Sequence, residues 1–420
     1  MTTPERDGVV LTHLDEPLFD GAGATKRDLV DYLDAVAELI VPGLRDRPLS
    51  VIRVRGGQQP FMQKNVPDYA PPWIQTVTLW AESSKREVRY ALCDDRRTLL
   101  WFANQRAVEY HPTLFLAGHM GRPTYLVLDI DPPAGGEFEQ VVAALRLVRQ
   151  ALADVGLAGA VKTSGAKGAH VYVPIDANGD DAAAATRAIA VRAERLDPAL
   201  ATTAFIREDR AGKVFLDSTR AHGATVAAVY SPRARPGVPV SFPVPWDDLD
   251  AVTPADFTVH TVPALVAGQR EPWGGRLPPP QKLSPDLVAE GREIPIARVQ
   301  AMHEGKRRKR AQRSDSLRLG ARDPALAELR PGRGRAGELA ARSGARAGAR
   351  VGGRSGARVG ACAEAVEDDG QVAVAEFGGA FGAGELDRGH ELEHQGQVVL
   401  DDARAQQVPD LLEERAEELA

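Results

Sequence analysis

The sequence predicts an α/β domain over residues 1 to about 270. Three observations carry this: stretches with apolar residues three and four apart, short β-branched runs that end in Gly or Pro, and the interleaving of the two along the chain. Lys26 to Ile40 has the helical spacing behind Thr25, a residue suited to cap a helix. Leu49 to Val54 alternates and is β-branched, a strand closed by Gly56-Gly57. Val88 to Leu92 and Thr98 to Phe102 read as two strands, or as a strand followed by a helix. Tyr125 to Asp131 is a strand stopped by Pro132-Pro133, and Phe138 to Val155 is a helix ending at Gly156. Ala169 to Pro174 and Lys213 to Asp217 are strands, with an alanine-rich helix between them at about 181–196.

With 420 residues the chain can hold one large domain or two ordinary ones around a real core. Its 43% hydrophobic and 26% charged residues are typical of soluble globular proteins. The net charge of −6 argues weakly against nucleic acid, but it averages over segments that differ sharply. Cys93 and Cys362 sit in no CxxC or Cys/His cluster, which excludes a zinc ribbon and a disulfide framework and points to a reducing cytoplasm. The first residues carry no signal-peptide pattern, and no apolar run approaches the roughly 20 residues of a membrane span, so a cytoplasmic protein is expected.

Composition changes after residue 270. Pro278-Pro-Pro280 opens an expected linker over 271–310, with a short helix at roughly 284–303 and the basic run Lys306 to Arg310. From 311 to 420 there is no Lys, Ile, Met, Asn, Thr, Tyr or Trp. Such a segment lacks the large side chains that offset ordering entropy, so a disordered tail is expected. The same composition also fits a frame-shifted GC-rich reading frame.

The strongest chemical signal is Asp129-Ile-Asp131 at the end of a strand. Side chains two apart on a strand share a face, so both carboxylates project together while Ile130 turns to the core. Two such carboxylates repel unless a cation lies between them, and Mg²⁺ or Mn²⁺ favours hard oxygen ligands. An isolated pair of this kind also fits a strand leaving into an acidic turn. Asp217, at the end of another apolar strand, supplies a third carboxylate, and three from two strands suit a two-metal centre. Between these strands lies Lys162-Thr-Ser164-Gly-Ala-Lys167-Gly-Ala-His170. Its glycines can expose backbone N–H groups to an anion, Ser164 can donate to a phosphate oxygen, and Lys167 adds charge. The GxxxxGK[ST] pattern is absent, and a tight Gly turn is the alternative.

Together these residues resemble the polymerase domain of bacterial ligase D, the non-homologous end-joining polymerase of the archaeo-eukaryotic primase superfamily, in its free-standing actinobacterial type. The resemblance runs from about Leu11 to Leu265. It includes Thr25-Lys-Arg-Asp, Phe61-Met-Gln-Lys-Asn-Val-Pro67, Glu109-Tyr-His-Pro112, Leu128 to Pro133, Thr163 to His170, Val214 to Asp217 and Tyr230 to Pro236. It implies a primase-polymerase fold in which two mainly antiparallel sheets form a cleft flanked by helices.

By the same resemblance Asp129, Asp131 and Asp217 hold two divalent ions, Mn²⁺ or Mg²⁺, as the catalytic centre. Ser164, His170 and Arg220 bind the incoming nucleoside triphosphate with Lys167 nearby, and His111 contacts its sugar and favours a 2′-hydroxyl. DNA contacts fall to Lys26, Arg53, Arg55, Phe61, Lys64 and Arg233, where cations can meet phosphates and Phe61 can stack. Glu16 and Met62 depart from the usual lysine and second aromatic, which weakens the expected grip on a 5′-phosphate. The implied partners are DNA ends, gapped DNA bearing a 5′-phosphate, Ku and a separate ATP-dependent ligase, with a nucleoid-associated location and no membrane. No K-x-D-G segment occurs, so nick sealing is not expected of these residues. A primase that starts chains de novo and a non-catalytic end-bridging module are the competing readings.

Overall fold

The computed structural model describes residues 4–81, 85–221 and 225–296, and the expectations for the 311–420 tail and the basic run before it lie outside them. A small hairpin, β1 (Glu5–Arg6) and β2 (Val9–Val10), precedes α1 (Lys26–Ala35) and α2 (Ala37–Leu44). Thr25 caps α1 through a capping box with Asp28. The single helix expected over 26–40 is thus two. Val36, at φ −99° and ψ 8°, leaves the helical conformation and separates the two, and Pro42 lies inside α2.

The first sheet contains β3 (Leu49–Arg55), β4 (Gln58–Gln63), β5 (Thr76–Ala81) and β6 (Arg86–Ala91), and β7 (Ala107–Pro112) pairs with β3. All its pairings are antiparallel. Of the two readings of 98–102, the helix is the one found: α3 (Arg96–Asn104), capped by Asp95 and packed against α1.

The second half supplies β8 (Tyr125–Asp131), α4 (Phe138–Ala153), β9 (Ala160–Thr163), β10 (Ala169–Pro174), α5 (Gly179–Leu196), β11 (Ala201–Thr202), β12 (Val214–Asp217) and β13 (Pro243–Val244). These strands form a six-stranded sheet in the order β11-β12-β8-β10-β9-β13, antiparallel except for β11 and β12. The two mainly antiparallel sheets and flanking helices are those of the expected primase-polymerase fold. Leu126, Leu128 and Ile130, all fully buried, occupy the face of β8 opposite its aspartates, where α4 and α5 pack. Residues 225–229 run beside β7, with Ala228 N donating to Tyr110 O at 2.9 Å and a bridge joining Thr113 to Thr225.

Within the expected linker, residues 271–296 pack on the domain, and the short helix expected at roughly 284–303 is present over Pro285–Glu293. After a short α6 (Val262–Leu265), Trp273 is buried against Tyr172, with ring centroids 5.2 Å apart. Gln281 exchanges hydrogen bonds with Ala158, and α7 (Pro285–Glu293) lies on α5 with Leu287 and Val288 buried. Gly291 makes that contact possible, because a Cβ there would stand 1.9 Å from the Ala184 carbonyl oxygen. The segment looks polar and Pro-rich in sequence, but a few apolar anchors dock it. No described helix is long and apolar enough to cross a membrane.

Candidate active site

Pairing places the carboxylates. Asp129 of β8 stands opposite Asp217 of β12 on one side and His170 of β10 on the other. Asp131 follows two residues along the same strand face. Asp129 and Asp217 are buried, so their charge requires compensation. Arg220 provides it: its Nη2 lies 2.7 Å from Asp129 Oδ2 and 3.0 Å from Asp217 Oδ2. Burial opposes ionisation of Asp129, but its contacts with His170 and Arg220 overcome it and hold the carboxyl well below the usual range. For Arg220, burial is likewise outweighed by Asp217, Asp129 and Asp131, and its guanidinium is held firmly charged.

His170 Nε2 lies 3.2 Å from Asp129 Oδ1, and its Nδ1 lies 2.7 Å from Lys162 Nζ. Burial, then the Lys162 charge, pushes His170 down to about 4, so the ring is neutral near pH 7. Lys162 is completely buried, also bonds Ser241 Oγ, and is itself pushed well down by burial. It occupies the β9 position opposite His170.

The Ser164–Gly168 loop is the turn of the β9–β10 hairpin. Ser164 Oγ accepts the N–H groups of Ala166 and Gly168, each at 3.2 Å. Those two donors are thereby withdrawn from an anion, while the hydroxyl proton stays free to be donated. Gly165 has φ +69°, and a Cβ at Gly168 would lie 2.2 Å from the Ile130 carbonyl oxygen, so the loop sits hard against β8. Lys167 is exposed and lines the same pocket.

This pocket encloses about 620 Å³ including its open mouth. Its lining includes His111, Asp129, Asp131, Ser164, Lys167, His170, Arg220 and Arg233. His111 enters from the first sheet, so the two sheets meet around one cleft. Glu109, two residues earlier on β7, shares its face, and Glu109 Oε2 lies 2.8 Å from His111 Nε2. The buried Nε of Arg220 has no hydrogen-bond partner among the described residues.

Three hard-oxygen carboxylates fit divalent ions by chemistry. Among the described residues, however, no three His, Cys, Asp or Glu side chains are gathered closely enough to hold one as they stand, and Arg220 provides the local positive charge.

The expected DNA contacts are separated by the structure. Arg55 is exposed, with its guanidinium 5.2 Å from the Phe61 ring centroid, and Lys64 is half-buried on the strand-end segment after Phe61. Arg53 is buried and donates to Gln105 O (2.7 Å), Gln63 Oε1 (2.7 Å) and Tyr69 Oη (3.0 Å). It braces the Phe61 surface rather than offering a free phosphate contact. Lys26 is buried, with Nζ donating to Thr12 O at 2.6 Å, and belongs to the N-terminal packing. Arg233 is buried in the pocket wall, where Nη1 donates to Ser164 O and Nε forms an ion pair with Glu109 at 3.0 Å that is not aligned as a hydrogen bond. Of the residues expected to contact DNA, these three thus make internal contacts. Glu109 and Lys162 were missed as site residues, although two-residue strand spacing and hairpin pairing carried the signal.

The LigD primase-polymerase domain model matches residues 25–273. Bifunctional non-homologous end joining protein LigD of Bacillus subtilis is 32% identical over 62% of this chain and 42% of its own length. Multifunctional non-homologous end joining DNA repair protein LigD of Mycobacterium tuberculosis is 35% identical over 60% of this chain and 34% of its own length. The chain therefore spans less than half the length of these curated relatives. A solved polymerase domain from Mycobacterium tuberculosis Ligase D, in complex with DNA, is 33% identical with a TM-score of 0.59, covering 64% of this chain and 99% of that one. With the family model matching more than half of its residues, the chain belongs to the LigD primase-polymerase domain family.

Proposed function

We propose that the chain is a template-directed DNA-repair nucleotidyltransferase that adds nucleotides, preferentially ribonucleotides, to DNA 3′ ends at gaps and double-strand breaks during non-homologous end joining. The observation that carries this reading is one pocket in which strand-end aspartates, the Ser164–Gly168 loop and His111 of the opposite sheet converge. Asp129, Asp131 and Asp217 would hold Mn²⁺ or Mg²⁺, which would activate the attacking 3′-hydroxyl and neutralise the leaving pyrophosphate. Ser164 donates its hydroxyl proton to a phosphate oxygen, and Lys167 adds charge at the exposed side. Arg220 exchanges its carboxylate partners for the triphosphate. Neutral His170 orients Asp129, and His111 meets the sugar. Arg55, Phe61 and Lys64 supply a cationic and aromatic surface for the template strand and the downstream 5′-phosphate. We assign end-holding to Ku and sealing to a separate ATP-dependent ligase.

The test is extension of a gapped, 5′-phosphorylated duplex with labelled ATP or dATP, in Mn²⁺ and in Mg²⁺. Templated incorporation is expected. Chain synthesis without a primer would replace this reading with a primase. End synapsis without incorporation would replace it with a bridging module.

A further inference from the structure

We propose that Glu109 is the positioning residue for sugar selection: it holds the His111 ring in one tautomer and ties it, through Arg233, to the backbone of the Ser164–Gly168 loop. This inference rests on the polymerase reading above and extends it to a residue outside the expected site.

Glu109 is only 4% exposed, yet both carboxylate oxygens are engaged. Oε2 faces His111 Nε2 at 2.8 Å and Arg233 Nε at 3.0 Å, and Oε1 accepts the Ala234 N–H at 2.9 Å. Burial works against its charge, but Arg233 and His111 more than offset this and keep the carboxylate ionised. An ionised carboxylate can only accept, so Nε2 of His111 must carry the ring proton. In the neutral ring Nδ1 is then a bare acceptor, and no described residue partners it. His111 lines the pocket, so this nitrogen is the ring atom left for a ligand. A 2′-hydroxyl can donate to it, whereas a deoxyribose has no donor there. Arg233 continues the chain of contacts, because Nη1 donates to the Ser164 carbonyl. One buried carboxylate thus registers the sugar-facing ring against the loop that faces the phosphates.

The experiment uses the full chain on a primer–template with a templating dT, measuring kcat and KM for ATP and dATP in wild type, Glu109→Gln and Glu109→Asp. Gln keeps the volume but loses the charge; Asp keeps the charge but withdraws it by one methylene. Each variant is expected to lower the ATP-over-dATP preference about tenfold, the scale of one oriented hydrogen bond, with the change mainly in KM for ATP. A purely structural role would reduce both nucleotides equally and leave the ratio unmoved. An unchanged ratio in whichever variant folds overturns the proposal, as does a wild type with no preference for ATP. A wild type that incorporates neither nucleotide refutes instead the polymerase reading on which it rests.

Discussion

Replacing Arg220 with Met tests the electrostatics of the carboxylate cluster without relying on turnover. The side chain is 19% exposed, and it bridges Asp129 and Asp217, which are 11% and 3% exposed. Removing one partner of a buried pair costs roughly 3–5 kcal/mol. Partial relaxation toward solvent at Asp129 favours the lower figure. A loss of about 3 kcal/mol lowers the melting midpoint by about 5 °C in a domain of this size. The assay is thermal unfolding in a chelator, repeated with Mn²⁺. A divalent ion at about one hundred times its dissociation constant restores about 2.7 kcal/mol. Because the variant offers its carboxylates without competition from a guanidinium, Mn²⁺ should stabilise it more than wild type. Equal melting of the two proteins in chelator, or an Mn²⁺ increment no larger in the variant, would refute the view that Arg220 and metal answer the same charge.

The other predictions concern chemistry, substrate and pH. Asp129→Ala and Asp131→Ala should each reduce nucleotide addition at least about a thousandfold while DNA affinity stays near wild type, as measured by extension and equilibrium binding. Lys64→Ala should remove most of the preference for a gap bearing a 5′-phosphate, an effect that weakens with salt. Glu16→Lys should strengthen that preference, since Glu16 now ion-pairs with Arg106 at 3.1 Å; no change in either variant would separate this surface from the phosphate. Burial, with Arg106 adding to it, lowers Lys26 to about 8. From about pH 8 to 10 the unfolded chain therefore binds the proton that the folded lysine has released, and stability rises with pH. Lys26→Met should exceed wild type by about 1 kcal/mol at pH 7.5, and the gap should close toward pH 9.5. A constant gap in paired melting curves would contradict this.

Much of the site was legible because strand periodicity is simple. Tyr125 to Asp131 is apolar on one face and acidic at its end, and Asp217 repeats the pattern on the neighbouring strand. Environment was not legible. Lys26, Arg53 and Arg233 are cations in sequence, but each is turned inward onto carbonyl, side-chain amide or carboxylate oxygens that come from distant parts of the chain. The four-residue β9 is too short to announce itself, so Lys162 could not be set opposite His170. Glu109 was within reach, because the spacing argument that paired Asp129 with Asp131 applies equally to Glu109 and His111.

The docking of residues 271–296 changes where this module ends. The family match stops at residue 273, where the chain has only just placed Trp273 against Tyr172. Tyr172 lies two residues from His170 on the same strand face, so the join reaches the flank of the site. A protein cut or fused at the family boundary would uncover the α5 surface that receives Leu287 and Gly291, and would loosen a wall behind the catalytic strand. The unit that can be transplanted or joined to a neighbour therefore extends to α7. A linker grafted after Glu293 should leave the pocket intact, whereas one inserted between Trp273 and Pro285 would act on it through Tyr172.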